Sequence, residues 1–260
     1  MIFIPYFSFY SLTKGIPCPE NGKYFACKSI EMSHLLYLYI RYYFGSDEHI
    51  YFSDGCCPLG IEYLTEFLPE KYEFIDKNSY TYNKDIKVHI KRFDELVIQE
   101  QGVNRRIVDF LKFAYLNNLD YLAIDMDSLI AYNLYEDFNG YDFGARIINL
   151  LGRTISSSVV YISANQLHNR DNLIGSLFEY CSYIEKTFNN DSKIMHSCFG
   201  GEGGYFRNFC YGKIKEMSYL EKHIHEVNKD KLIEFIANYP VKHKFVDYFL
   251  RLVISNENIN

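Results

Sequence analysis

The chain has 260 residues with 48% hydrophobic and 18% aromatic content, which is enough apolar material for one large core and too much for a disordered protein. Its formal net charge of -6 excludes broad, sequence-independent binding of nucleic acid, which relies on clustered Lys and Arg, so an anionic ligand needs a locally built site. The aromatic residues are 25 Tyr and 21 Phe with no Trp, and Tyr supplies stacking faces together with hydroxyls, a mixture that suits sugars and bases without selecting either.

In chain order, residues 1–9 read as a first strand, with Ser8 and Tyr10 at its far end. The opening segment lacks the basic n-region and long apolar core of a signal peptide, and no stretch reaches about 18 uncharged apolar residues. A cytoplasmic protein is therefore expected, with peripheral membrane contact still compatible. Ser29–Tyr43 reads as a helix with apolar positions at Ile30, Leu35, Leu36, Leu38, Tyr39 and Tyr42. His49–Gly55 is a second strand that runs into a Ser53-Asp54-Gly55 turn, and a short helix is expected over Leu59–Phe67. Tyr72–Ile75 and Lys87–Ile90 read as short strands. Val103–Leu116 reads as a helix whose inner side carries Val103, Ile107, Phe110, Leu111 and Ala114.

The next segment is the most informative. Leu119-Asp120-Tyr121-Leu122-Ala123-Ile124 is an apolar run that stops on Asp125 and Asp127, as a buried strand delivering acids to a sheet edge would. The two acids share a face if both are extended, or converge through a turn if the strand ends between them. Carboxylates held that close repel unless a cation or a shared proton neutralises them, which points to a hard divalent metal or to an acid/base dyad. Beyond it, Val159–Ser163 is strand-like, Asn172–Thr187 is an expected helix, and Phe199–Tyr205 places four glycines around Glu202.

Strands alternating with helices in the first half predict a parallel sheet covered by helices on both faces, with ligands beyond the carboxyl ends of the strands, where Asp54, Asp125 and Asp127 fall. No repeat or long linker divides the chain, so one domain over 1–260 is expected, with a less regular C-terminal portion. Cys18, Cys27, Cys56, Cys57, Cys181, Cys198 and Cys210 lack zinc-knuckle spacing and read as reduced thiols. His223 and His225, two residues apart among Glu221, Lys222 and Glu226, read as a solvated helix face rather than a ligand pair.

Taken together, Ile50-Tyr51-Phe52-Ser53-Asp54-Gly55, Asn104-Arg105-Arg106 and Tyr121-Leu122-Ala123-Ile124-Asp125-Met126-Asp127 resemble the GT-A class of nucleotide-sugar-dependent glycosyltransferases over about the first half of the chain. Cys56 after Gly55 departs from that class, as does the lack of a late metal-binding His motif. The resemblance implies a GT-A-like, Rossmann-like α/β fold with a central, mostly parallel sheet flanked by helices. Residues 1–130 would form the donor half and 131–260 the acceptor half. It further implies that Asp54 contacts the nucleotide, and that Asp125 and Asp127 hold Mn²⁺ or Mg²⁺ against the donor diphosphate, with Asp125 also at the nucleotide sugar. Ser8, Tyr10, Arg105 and Arg106 become nucleotide-sugar neighbours, the arginines through a helix start whose free amides favour anions. Glu202 stands about where inverting members carry the base that deprotonates the acceptor hydroxyl. The implied partners are a nucleotide-diphosphate sugar and a glycan or glycolipid acceptor, as in surface glycan or polysaccharide synthesis.

Two rival readings use the same residues. A haloacid-dehalogenase-type phosphohydrolase also places D-x-D after an apolar strand, with Asp125 as nucleophile and Asp127 as acid/base beside Mg²⁺. Leu129 stands where that motif wants Thr or Val. A catalytically inactive nucleotide-sugar-binding module is the other, because fold does not dictate activity.

Overall fold

The computed structural model describes residues 1–6, 10–11, 24–25, 27–54, 64–66, 68–92, 99–125, 133–149, 154–169, 206 and 209–217. Its elements in chain order are β1 (Ile2–Tyr6), β2 (Tyr10–Ser11), β3 (Tyr24–Phe25), α1 (Cys27–Phe44), β4 (Ile50–Asp54), β5 (Tyr72–Ile75), β6 (Val88–Arg92), α2 (Gln99–Leu116), β7 (Tyr121–Ile124), α3 (Leu134–Phe138), β8 (Phe143–Asn149), β9 (Thr154–Ile162), α4 (Ala164–His168) and β10 (Ile214–Glu216). Eight strands form one sheet in the order β10-β8-β9-β7-β1-β4-β6-β5, and β2 pairs with β3 apart from it.

The fold is α/β, but the sheet is mixed rather than simply parallel. β9 runs antiparallel to both β7 and β8, while every other pairing in the sheet is parallel. β1 lies near the centre because Ile2, Phe3 and Ile4 are all fully buried, and a strand covered on both faces must be apolar throughout. β7 follows the same rule, with all four residues buried.

The parallel register aligns Phe3 with Tyr51 and Ala123, and Tyr51 with His89, so these residues share one face of the sheet. On that face Phe3 and Tyr51 join one core cluster with Ile107, Phe110, Leu111, Phe113 and Ala114 of α2. Phe52 points to the opposite face and meets Tyr37 of α1 with ring centroids 6.5 Å apart. The C-terminal end of α1 is tied to the segment before β5, since Arg41 Nε donates to Glu70 Oε1 at 2.7 Å and the Tyr37 hydroxyl donates to the same carboxylate.

Several expectations shift. α1 spans Cys27–Phe44 rather than Ser29–Tyr43, and the segment 133–149 forms α3 and β8, where no element was expected. β8 starts Phe143-Gly144-Ala145, with a glycine where a strand prefers a bulky residue. The Phe138 ring explains it: it stacks on Tyr161 at 4.7 Å, and a Cβ at Gly144 would collide with that ring. The helices expected over Leu59–Phe67 and Asn172–Thr187 fall mostly or wholly outside the described residues, although 64–66 are helical.

Under α2 the core contains charge. Lys91 on β6 is fully buried, and its Nζ donates to Asp109 Oδ1 of α2 at 2.6 Å and to the Ser79 carbonyl at 3.2 Å. The ammonium also sits 4.1 Å from the centroid of the Tyr80 ring. Asp109 accepts from the Tyr51 hydroxyl at 3.2 Å and from Tyr80 as well. Burial pushes the Asp109 carboxyl above the usual carboxylate range, and the Lys91 ammonium opposes that rise. A buried pair of this kind is costly to break on one side only. Asp109→Ala should lower stability by about 3–5 kcal/mol, whereas Lys91→Met with Asp109→Leu should recover most of the loss. Urea unfolding of the single and double variants tests both.

Candidate functional site

The carboxyl ends of the parallel strands form one edge of the sheet, and the register brings specific residues to it. Tyr6, Asp54 and Arg92 stand side by side as the last residues of β1, β4 and β6. Asp125 follows the last residue of β7, on the other side of β1. Strand order therefore reverses at β1: β4, β6 and β5 lie in that order on one side of it, and the chain then returns to place β7 on the opposite side. In α/β sheets such a reversal of strand order is where ligands bind, beyond the carboxyl ends of the strands.

Asp125 is half-buried at this point. Burial, and after it the charge of Asp125, pushes the Tyr121 phenol well above its ordinary range. Tyr121 lies on the α2 face, stacked on Phe3 with centroids 5.5 Å apart, and its hydroxyl has no hydrogen-bond partner among the described residues. Ser53, in register with Pro5 and Lys91, is fully buried and its hydroxyl likewise has no partner among the described residues. Unsatisfied buried hydroxyls are unusual, and both flank the strand at which the order reverses.

The structure brings Asp54 and Asp125 to one edge, with β1 between their strands. Ser8, Asp127 and Glu202 lie outside the described residues, as do His223 and His225. Tyr10 belongs to β2, paired with Phe25 in the small separate sheet rather than at the end of β1. The arginines need a correction. α2 begins at Gln99, so Arg105 and Arg106 are in its second turn and not at its N-terminus, and free amide groups do not assist them there. Gln99, Glu100 and Gln101 are good helix formers and carry the helix back across Gly102.

Among the described residues no cluster of three or more His, Cys, Asp or Glu could hold a metal ion. Asp125 supplies one hard oxygen donor of the kind Mg²⁺ and Mn²⁺ take. No described helix is long and apolar enough to cross a membrane. Cys210 is a half-buried thiol. The chain matches no protein-family model and no curated protein.

The polar cluster of Lys91, Asp109, Tyr51 and Tyr80, and a second one around His49 and His89, were not singled out from the sequence. A signal for them exists: in Val88-His89-Ile90-Lys91 polar residues alternate with apolar ones, and the polar set is on the face that α2 covers. Tyr121→Phe should leave stability unchanged or raise it by up to about 1 kcal/mol, because it deletes a buried hydroxyl that has no partner among the described residues. A lowered urea midpoint would reveal a partner that the hydroxyl depends on.

Proposed function

We propose that the protein is a metal-dependent glycosyltransferase that moves a sugar from a nucleotide-diphosphate donor to an acceptor hydroxyl, on a GT-A-like scaffold. The observation that supports this reading best is the position of Asp125, at the carboxyl end of β7 beside the strand where the order reverses. In this reading Asp54, the last residue of β4 across β1 on the same edge, receives the nucleoside, since a carboxylate accepts hydrogen bonds from base N–H groups and ribose hydroxyls.

In this reading Asp125 and Asp127 hold Mn²⁺ or Mg²⁺, which when bound stabilises the charge that develops on the leaving diphosphate. Asp54 orients the donor so that its anomeric carbon faces the acceptor side. Glu202 takes the proton of the attacking acceptor hydroxyl, its flanking glycines leaving the carboxylate uncovered. The acceptor is a glycan or glycolipid hydroxyl, consistent with work at or near a membrane surface.

A thermal-shift screen of nucleoside diphosphates with and without Mn²⁺ tests the donor half, because a ligand that binds only the native state raises the melting temperature. One diphosphate should shift it in a metal-dependent way, and Asp125→Asn should abolish that shift and cut turnover about a hundredfold or more while the protein stays folded. If Asp125→Asn transfers sugar normally, the reading fails. Release of inorganic phosphate from phosphomonoesters in place of transfer would instead favour the phosphohydrolase.

The acceptor half has its own test. Glu202→Gln should keep metal-dependent donor binding and lose transfer by roughly 10²–10⁴-fold. Retained anomeric configuration in the product, followed by NMR, would rule out a base at this position.

A further inference from the structure

The amino edge of the sheet, opposite the candidate site, carries a hydrogen-bonded line of four ionisable side chains. Lys87 Nζ lies 3.2 Å from His49 Nε2, His49 Nδ1 lies 3.0 Å from His89 Nε2, and His89 Nδ1 lies 2.8 Å from Glu73 Oε1. The two imidazoles do not stack. Their planes differ by only 3° and their centroids are 5.3 Å apart, which together with the 3.0 Å nitrogen contact means that the rings lie end to end in one plane. The Tyr82 ring stands nearly perpendicular to both, at 79° and 80°, as coplanar rings require.

The two ends set the direction of the line. Glu73 as a carboxylate only accepts, so His89 Nδ1 carries a hydrogen, and neutral His89 then accepts at Nε2 from His49 Nδ1. His49 Nε2 is left bare and accepts from the Lys87 ammonium, which only donates. The Asn83 backbone N–H also donates to Glu73 Oε1, at 2.7 Å, fixing the far end.

We infer that the His49–His89 pair is a one-proton switch: a single proton taken up from solvent must end at His49 Nε2, where it sets donor against donor and expels Lys87 from the line. Whichever ring carries the charge, three hydrogens then occupy four nitrogens. One faces Glu73, one is shared between the rings, and the third points at Lys87. Lys87 matters to the sheet because its carbonyl accepts the Ile50 backbone N–H at 2.9 Å, joining β6 to β4, while the His49 carbonyl accepts from Ile2 at 2.8 Å. Proton uptake therefore loosens the amino edge at which β1, β4 and β6 meet.

The surrounding charges oppose uptake in the resting state. Burial, then Lys87, His89 and the α-amino group of Met1, hold the His49 imidazole down at about 4, with Glu48 acting the other way. Burial also lowers His89, against the pull of Glu73. Burial raises the Tyr82 phenol, so it stays neutral, and Lys91, two residues along β6 on the same face, is neutralised by Asp109. A base whose folded pKa is depressed contributes stability above its ordinary value, so this contribution is present above pH 6.5 and is lost as pH falls toward 4.

The test follows imidazole ¹⁵N shifts and the exchange rate of the Ile50 amide in the whole 260-residue chain as pH falls from about 8 to about 3. At the high end both rings should be neutral with hydrogen on Nδ1. Protonation of His49 Nε2, a change in the Lys87 side-chain resonance and at least a tenfold faster Ile50 exchange should occur in one step below pH 6. In Lys87→Met the step should move up by about one to two pH units, since a cation facing the bare nitrogen has been removed. Two rings that titrate independently near their ordinary value, hydrogen on His49 Nε2 at the high end, an Ile50 amide indifferent to the step, or an unshifted step in Lys87→Met would each overturn the switch.

Discussion

The buried contact between Lys91 and Asp109 ties α2 to β6 by charge, and the layout of the face between them depends on it. An ammonium with no exposed surface is tolerated only because a carboxylate, a backbone carbonyl and an aromatic face replace its water. Those groups come from α2, from the connection after β5 and from Tyr80. The pair thus sets the position of α2 over β4 and β6, and with it where the preceding turn, carrying Arg105 and Arg106, stands relative to the carboxyl edge. Apolar contacts alone would let the helix slide, whereas a 2.6 Å charged hydrogen bond allows little movement.

The face beneath α2 is graded along the strands. His49 lies at the amino edge, His89 is level with Tyr51 one step in, and Lys91, paired with Asp109, is level with Ser53 a further step on, while Asp54 and Asp125 stand at the carboxyl ends of β4 and β7. The opposite face, around Ile4, Phe52 and Ile90, is apolar. Polar groups are concentrated where helix and loop segments can satisfy them, and the two ends of the sheet differ in kind. One end is a hydrogen-bonded line, and the other brings Asp54 and Asp125 to the strand ends.

Long apolar runs were readable from the sequence because burial on both faces leaves little choice of residue type. β1, β4 and β7 follow from that rule, and so do the placements of Asp54 and Asp125 at strand ends. β8 was not readable, since its Gly144 is dictated by the Phe138 ring, a tertiary contact with no local signature. The start of α2 was misplaced because Gly102 looks like a boundary, while the flanking Gln and Glu residues continue the helix through it. The antiparallel course of β9 could not be read either: strand direction depends on the connection, and Val159–Ile162 would serve a parallel strand equally well. At the site, the acids were legible as types at positions, but the point at which the order reverses depends on strand order, which periodicity does not encode.

The central place of β1 has a consequence for how the chain is assembled. Ile2 pairs with Ile50 on one side and with Leu122 on the other, so β1 receives its second neighbour only after α1, β4, β5, β6 and α2 have been synthesised. Until then one side of an apolar strand presents open amide and carbonyl groups to any passing extended chain. Such long-range closure slows folding, and nascent chains of this protein are most exposed to aggregation in the interval before β7 emerges.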